Sequence, residues 1–204
     1  KTDGIMELPE DAEVGMAGAD YFNINEDIVF EIGLTPNRSD AMSHIGVARD
    51  LKAVLNSRGD DLKMCMPSIK DFKIDNKDLT IDVKIESESL CPRYSGVSIS
   101  NITVNESPDW LKHKLLSIGI NPINNIVDVT NYVLHETGQP LHAFDTEKIL
   151  GKEIIVKTLS NDTNFITLDE NNRKLSDNDL MICNAKEPMC IAGVFGGLDS
   201  GVTN

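Results

Sequence analysis

The chain has 204 residues, of which 40% are hydrophobic, so it carries enough apolar surface for one large domain or two small ones. Its formal net charge of −14 argues against an autonomous nucleic-acid binder, because non-specific affinity for phosphate comes from Lys and Arg. No apolar run reaches the roughly 18 residues of a membrane span, and the first residues lack the apolar stretch of a secretory signal, so a cytoplasmic protein is expected.

The four cysteines do not form a recognisable metal site. Zinc sites are built from closely spaced cysteine pairs with nearby histidines, whereas these four cysteines are scattered along the chain. We therefore expect buried free thiols at Cys65, Cys91, Cys183 and Cys190 and no metal ion.

The first predicted unit is a small α+β unit over residues 1 to 58. Residues 28 to 32, Ile-Val-Phe-Glu-Ile, indicate a strand, and a turn-forming run follows at residues 34 to 40. Ser39 can N-cap a helix in which apolar residues recur at helical spacing. These apolar residues are Met42, Ile45, Ala48, Leu51 and Leu55. A polar linker is expected over residues 59 to 76.

The second predicted unit, residues 77 to 204, begins with strands and then a helix. Apolar and polar residues alternate from Leu79 to Ile85, which is the period of a half-buried strand. A second strand is indicated by Val97, Ile99, Ile102 and Val104. Ser107 and Pro108 then supply an N-cap and a proline at the first helical position, and Gly119 ends this helix. Its apolar face is predicted to consist of Leu111, Leu115 and Ile118.

The next helix is unusually rich in short polar side chains. Asn124 or Asn125 can cap it, and Gly138 is placed to end it in the left-handed conformation. Its predicted buried stripe is Ile126, Val129 and Val133. Asn and Thr are mediocre helix formers, so Thr130 and Asn131, at the edge of that stripe, need another reason to be there. Either they point into a cleft, or they bond locally to the backbone.

A histidine follows this helix in a segment straightened by proline. His142 stands between apolar residues within residues 138 to 145, a setting in which a structural histidine is common. The glycine turn can nevertheless fold His142 back towards Thr130 and Asn131. Together, a threonine, an asparagine and a histidine can orient a water molecule for hydrolysis.

The last part of the chain is predicted to consist of strands separated by Asn, Asp, Gly and Pro turns. These strands cover residues 154 to 159, 165 to 168, 180 to 183 and 189 to 195. Small residues interrupt the last one, from Ala192 to Gly197, and indicate either a strand-to-turn transition or the wall of a pocket. The predicted fold is therefore α+β, with helices first and a mainly antiparallel sheet after them.

Four stretches of the sequence carry a resemblance to a known family. Residues 121 to 133 together with residues 138 to 145 resemble the editing-domain signature of the β subunit of bacterial phenylalanyl-tRNA synthetase. Residues 34 to 40 resemble the part that precedes editing in that family, and residues 193 to 197 resemble a later editing-site strand. The resemblance spans nearly the whole chain.

This resemblance implies an α2β2 synthetase in which the α subunit carries out aminoacylation with ATP and Mg²⁺. The domain in this chain would need no cofactor and would hydrolyse tyrosine mischarged onto the phenylalanine tRNA. Thr130, Asn131 and His142 would line the hydrolytic site near the terminal adenosine. Gly196, with Gly197 and Ala192 beside it, would form the wall around the amino-acid side chain.

The resemblance also implies a missing component. The family uses a glutamate, on a strand after the Gly-Gly segment, to recognise the tyrosine hydroxyl, and this sequence ends before that strand. The sequence also starts without a Met and closes on Gly201-Val202-Thr203-Asn204 with no final element. We therefore expect a fragment whose editing domain is truncated at its C-terminal end.

Two other classes of function remain open from the sequence. A hydrolase of the cysteine–histidine type would use Cys190 as nucleophile and His142 as base. A non-catalytic module would only contact the α subunit and the tRNA.

Overall fold

The computed structural model describes residues 4–22, 24 and 27–202, so the ends of the two predicted units, residues 1–3 and 203–204, lie outside the described residues. The helices in this part of the chain are α1 Gly18–Tyr21, α2 His44–Ser57, α3 Asp109–Ser117 and α4 Asn125–Thr137. The strands are β1 Asp82–Ile85, β2 Glu153–Thr158, β3 Asn164–Ile166, β4 Asn172–Lys174, β5 Leu180–Cys183, β6 Pro188–Ile191 and β7 Phe195–Gly196. Single 3₁₀ turns are formed by Ser39–Ala41, Thr146–Lys148 and Leu150–Lys152. None of the described helices is long and apolar enough to cross a membrane.

Five strands form one sheet in the order β1-β2-β5-β6-β7. Only β1 and β2 run parallel, and the other neighbours in the sheet are antiparallel. β3 and β4 form a separate antiparallel hairpin, which is joined to the end of β7 by a bridge between Thr167 and Gly197. The predicted α+β class and the mainly antiparallel sheet are confirmed.

The core lies on both faces of the sheet because successive residues of a strand point to opposite faces. On one face Ile154 and Val156 of β2 pack with Ile182 and with Met189 and Cys190. On the other face the cluster consists of Ile155, Met181, Cys183, Phe165 and Leu175. Phe165 and Leu175 come from the β3–β4 hairpin region, so the hairpin covers this second face of the sheet.

A buried carboxylate connects α4 to the start of α3. Asp128 is fully buried and accepts hydrogen bonds from the Ser107 hydroxyl at 2.5 Å and from the Ile123 backbone N–H at 2.9 Å. The prediction that Ser107 caps α3 is therefore wrong, because its hydroxyl is committed to Asp128 and Pro108 occupies the N-cap position.

The predicted apolar faces of these two helices are correct only in part. Leu111 and Leu115 of α3 are buried, each 1% exposed, but Ile118 is exposed. On α4 the one buried residue is Asp128, and Val129 is 48% exposed. A step of one residue turns a helix by about 100°, so Val129 points away from the side on which Asp128 is buried. The predicted ends are confirmed, since Gly119 and Gly138 adopt φ of 81° and 79°.

Two predicted strands do not form. Residues 28 to 32 and 97 to 104 carry no strand in the part of the chain described here. Ile28, Phe30 and Ile32 are 80%, 78% and 50% exposed. An extended segment becomes a strand only when a neighbouring strand takes up its backbone hydrogen bonds, and neither segment pairs with a described strand. Residues 59 to 76, predicted as a linker, also carry no helix or strand.

The turn-forming run before α2 is held by an arginine. Arg38 donates to Asp40 at 3.0 Å and reaches across to Asp50 of α2 at 2.6 Å. The helix is capped by Ser43, which accepts from the Gly46 N–H, and not by the predicted Ser39, which begins a 3₁₀ turn. The bend at Asp40 and Ala41 delays the helix by several residues.

The cysteines are all free thiols, but they are not all buried. Cys183 and Cys190 are buried as predicted, whereas Cys91 is half-buried and Cys65 is exposed. Among the described residues no group of three or more His, Cys, Asp and Glu side chains is arranged to hold a metal ion.

We predict that Ser107→Ala lowers the free energy of unfolding by about 2 kcal/mol, because it leaves the buried Asp128 carboxylate with one donor fewer. Ser57→Ala is the matched control, since Ser57 is exposed and bonds only to Val54 within its own helix, and it should change stability by less than about 0.5 kcal/mol. Urea unfolding followed by fluorescence of the single tryptophan, Trp110 of α3, measures both. Equal losses for the two variants would contradict the role given to Asp128.

Candidate functional site

Most of the short polar residues of α4 have structural partners. The Asn124 side chain caps the helix by accepting from the backbone N–H groups of Ile126 at 3.1 Å and Val127 at 3.0 Å. Asn125 fixes the preceding loop by donating to the Thr103 carbonyl at 3.0 Å. The composition that looked odd for a helix is therefore explained, at these two positions, by capping and loop anchoring.

Thr130 and Asn131, the two candidates on α4, differ in their surroundings. Thr130 is half-buried and donates its hydroxyl to the Val127 carbonyl at 2.7 Å, so the local-bonding interpretation applies to it. Asn131 is also half-buried, but its side chain makes no hydrogen bond to any described residue. Its carboxamide therefore keeps its donors and its acceptor available for a ligand or water.

His142 is brought to the sheet by the turn after α4. Gly138 ends the helix in the left-handed conformation, and the extended residues that follow carry the imidazole to β7. The ring meets Phe144 edge to face with centroids 4.5 Å apart. His142 is exposed to solvent on one side, and partial desolvation by its apolar neighbours lowers the pKa of His142 below its ordinary value. The neutral form of the imidazole therefore predominates at pH 7.

The absence of a side chain at Gly196 makes room for this histidine. A methyl group on Gly196 would lie 2.8 Å from His142 Cε1 and 2.9 Å from Leu168 Cδ1. His142 and Leu168 thus lie side by side over the Gly196 backbone. This close approach is a physical reason for glycine in a strand, where glycine otherwise weakens the structure.

The other two predicted wall residues lie elsewhere. A methyl group on Gly197 would lie 2.7 Å from the Met189 carbonyl and 2.8 Å from Phe165 Cζ, so this glycine serves close packing inside the sheet. Ala192 is half-buried against the core in the turn between β6 and β7. The stretch from Ala192 to Gly197 is predicted to be either a strand-to-turn transition or the wall of a pocket. Residues 192 to 194 form a turn, whereas Gly196 lies under the candidate catalytic side chain of His142.

The structure adds side chains that the sequence did not indicate. Phe144 and Leu168 contact the same space as His142 and Gly196. Phe144 could have been found from its spacing of two from His142 in an extended segment. Leu168 could not, because its approach depends on the bridge between the β3–β4 hairpin and β7.

Two cavities lie away from His142. One of about 570 Å³ is lined by residues that include Asn184, Gly197 and Ser200, and it opens beside β7 on the side that Gly197 faces. The other, of about 260 Å³, is an apolar groove along α2 lined by residues that include Leu34, Leu51 and Val54. Neither cavity contains Thr130, Asn131 or His142 in its lining, so size alone does not mark the candidate site.

Comparison with known proteins gives two findings. Residues 90–204 match the model of a family described as the B3/4 domain. Over 200 residues the chain is 56% identical to a phenylalanine–tRNA ligase β subunit of Bacteroides thetaiotaomicron. This alignment covers 98% of the chain and 24% of the relative. The corresponding proteins of Porphyromonas gingivalis and Bdellovibrio bacteriovorus are 52% and 44% identical, over 98% and 100% of the chain and 24% of each relative. The chain thus spans about a quarter of the length of these relatives.

We predict that Leu168→Ala raises the pKa of His142 towards its ordinary value, because removing the isobutyl group lets water reach the imidazole. Leu198→Ala is the matched control, since Leu198 lines the cavity beside β7 and not the histidine. An NMR titration of the histidine ring protons measures the pKa in both variants and in the unmodified chain. The same His142 pKa in all three proteins would contradict the contact with Leu168.

Proposed function

The chain belongs to the B3/4 domain family, and on that premise we propose that it forms part of a phenylalanine–tRNA ligase β subunit and carries the editing site of that enzyme. The reaction is hydrolysis of the ester that joins tyrosine to the phenylalanine tRNA. The observation that carries the proposal is the position of the His142 imidazole, which lies over the bare backbone of Gly196 beside Leu168 and Phe144.

A second site of this kind is needed because phenylalanine and tyrosine differ by one hydroxyl group. An apolar synthetic pocket rejects an analogue that merely adds a hydroxyl only weakly. A hydrolytic site that forms hydrogen bonds with the hydroxyl gains selectivity, because phenylalanine would leave its buried polar groups unpaired. The resemblance implies that a glutamate makes this contact.

The side chains support a mechanism without a covalent intermediate. An aminoacyl ester is already activated, so correct placement of a water molecule can be sufficient. A neutral imidazole can accept a proton from that water, whereas a protonated one cannot. Asn131, whose carboxamide has no partner among the described residues, is available to hold the water or the ester carbonyl. Thr130 would supply an acceptor, since its proton is committed to Val127.

The cysteine–histidine alternative is disfavoured by the thiol. Cys190 is 4% exposed in the core, and burial raises its pKa to about 11. Only about one thiol in 10⁴ would be ionised at pH 7, and the thiolate is the nucleophile. A scaffold without catalysis remains the second candidate. It is favoured by the apolar groove along α2 and the exposed Phe30, which offer surface for contact with another polypeptide.

The partners follow from the charge and from the relatives. With a net charge of −14, the chain is expected to leave most of the tRNA binding to other parts of the enzyme. We propose an α2β2 assembly in which the α subunit uses ATP and Mg²⁺ to charge phenylalanine. The chain has no Gly-Lys-Ser/Thr phosphate loop, so we expect no aminoacylation by it alone.

We predict that His142→Ala in the intact synthetase slows hydrolysis of tyrosyl-tRNA by roughly 10²-fold, the loss expected for one positioned proton acceptor. Phenylalanine charging should be unchanged. Cys190→Ala is the matched control and should retain the normal rate of hydrolysis. Because the pKa of His142 is lowered, the rate should be constant from about pH 7 to pH 8 and decline only as the imidazole is protonated at lower pH.

The control outcomes separate the three interpretations. A normal hydrolysis rate for His142→Ala would leave the histidine with a structural role only. A loss in Cys190→Ala with normal charging would favour the cysteine nucleophile. If the synthetase edits and neither His142→Ala nor Cys190→Ala slows hydrolysis, the result would favour a site outside this chain. The chain would then serve as a scaffold.

A further inference from the structure

The turn between β3 and β4 is held by one aspartate. Asp169 Oδ1 accepts a hydrogen bond from the Thr167 hydroxyl, and Asp169 Oδ2 accepts from Asn171 Nδ2 and from Arg173 Nη2, each at 2.7 Å. These donors, with the Thr167 hydroxyl first among them, hold the pKa of Asp169 well below its usual range. The carboxylate is therefore ionised at any pH at which the protein functions.

The same hydrogen bonds connect the hairpin to β7. Thr167 is fully buried, and its hydroxyl accepts a hydrogen bond from Arg173 Nε at 3.0 Å. The backbone of Thr167 forms the bridge to Gly197. The guanidinium of Arg173 lies 5.7 Å from the centre of the Phe195 ring, within the range of a cation–π contact. Asp169, Thr167 and Arg173 thus form a clasp between β4 and the strand that carries Gly196.

The residue that this clasp presents to the candidate site is Leu168. It follows Thr167 directly, and its backbone N–H donates to the Gly196 carbonyl at 3.0 Å. Its side chain is 48% exposed, so surrounding core does not hold it in place. The position of Leu168 beside His142 therefore depends on the turn on which it is carried.

We propose that Asp169 is a positioning residue of the editing site, which through Thr167 and Arg173 fixes Leu168 and Gly196 against His142. Asp169 itself touches no substrate. The inference rests on the proposed function and assigns to that site a determinant 27 residues after His142 in the sequence. Loss of the clasp would loosen the wall next to the imidazole, and small misplacements at a catalytic site are costly to the rate.

The test uses the intact synthetase and deacylation of tyrosyl-tRNA. Asp169→Asn replaces one acceptor oxygen with a donor and should lower kcat about tenfold, with the KM for tyrosyl-tRNA changed less than about twofold, because tRNA is held elsewhere. Asp162→Asn is the matched control. Asp162 lies on the same hairpin, pairs with Lys174 only at 3.8 Å and is 79% exposed, so neither constant should change.

A second pair of variants separates the hydroxyl from packing. Thr167→Ser keeps the hydroxyl and should retain kcat, whereas Thr167→Val keeps the shape but leaves Arg173 Nε without its acceptor and should lower kcat as Asp169→Asn does. Phenylalanine charging, measured on every variant, checks that the enzyme is folded. An equal loss in Thr167→Ser and Thr167→Val would show a packing role and overturn the proposal.

The remaining outcomes distinguish this proposal from the proposed function. A wild-type enzyme that leaves tyrosyl-tRNA intact overturns the proposed function itself. A wild-type enzyme that hydrolyses tyrosyl-tRNA, together with an Asp169→Asn variant of normal kcat, overturns only the positioning role. A loss in Asp162→Asn as large as in Asp169→Asn, or a change confined to KM, also overturns it.

Discussion

The imidazole of His142 and a side chain at position 196 cannot occupy the same space, and glycine at that position resolves the conflict. A single methyl group there would come within 3 Å of both the histidine and Leu168. The candidate site depends on this close approach, because it seats the imidazole of His142, which lies on the extended segment after α4, against strand β7 of the sheet. The β6–β7 turn, the hairpin bridge and the extended segment after Gly138 all converge on it.

Two networks of hydrogen bonds, one around Asp128 and one around Asp169, hold the elements that bring His142 against Gly196. The buried Asp128 carboxylate sets the first turn of α4, the helix that precedes His142, against the start of α3. The Asp169 clasp acts on the other side, by holding the hairpin that carries Leu168. The Asp128 carboxylate is buried, so a missing partner there is costly, whereas Asp169 is exposed and acts through the fully buried Thr167. The chemistry is thus supported by residues that take no part in it.

The sequence predicts best where local chemistry decides the structure. Asn124 as a cap, Gly138 as a left-handed end and the apolar strand at residues 180 to 183 need no knowledge of distant residues. The predictions for residues 28 to 32 and Val129 are wrong because strand pairing and helix burial depend on neighbours that the local pattern does not contain. Leu168 and Asp169 were not found for the same reason. A motif can therefore indicate His142 and Gly196, but only the fold brings Leu168 against them.

Deacylation of tyrosyl-tRNA and phenylalanyl-tRNA, measured with the intact synthetase and with this chain, tests the proposed editing function most directly. We predict that the intact enzyme hydrolyses the tyrosyl ester at least about tenfold faster than the phenylalanyl ester, since a site that binds the hydroxyl leaves phenylalanine poorly held. We expect little hydrolysis of either ester by the chain alone, because its net charge of −14 gives it little affinity for tRNA. Equal hydrolysis of the two esters by the intact enzyme, or none, would contradict the proposed editing of tyrosyl-tRNA.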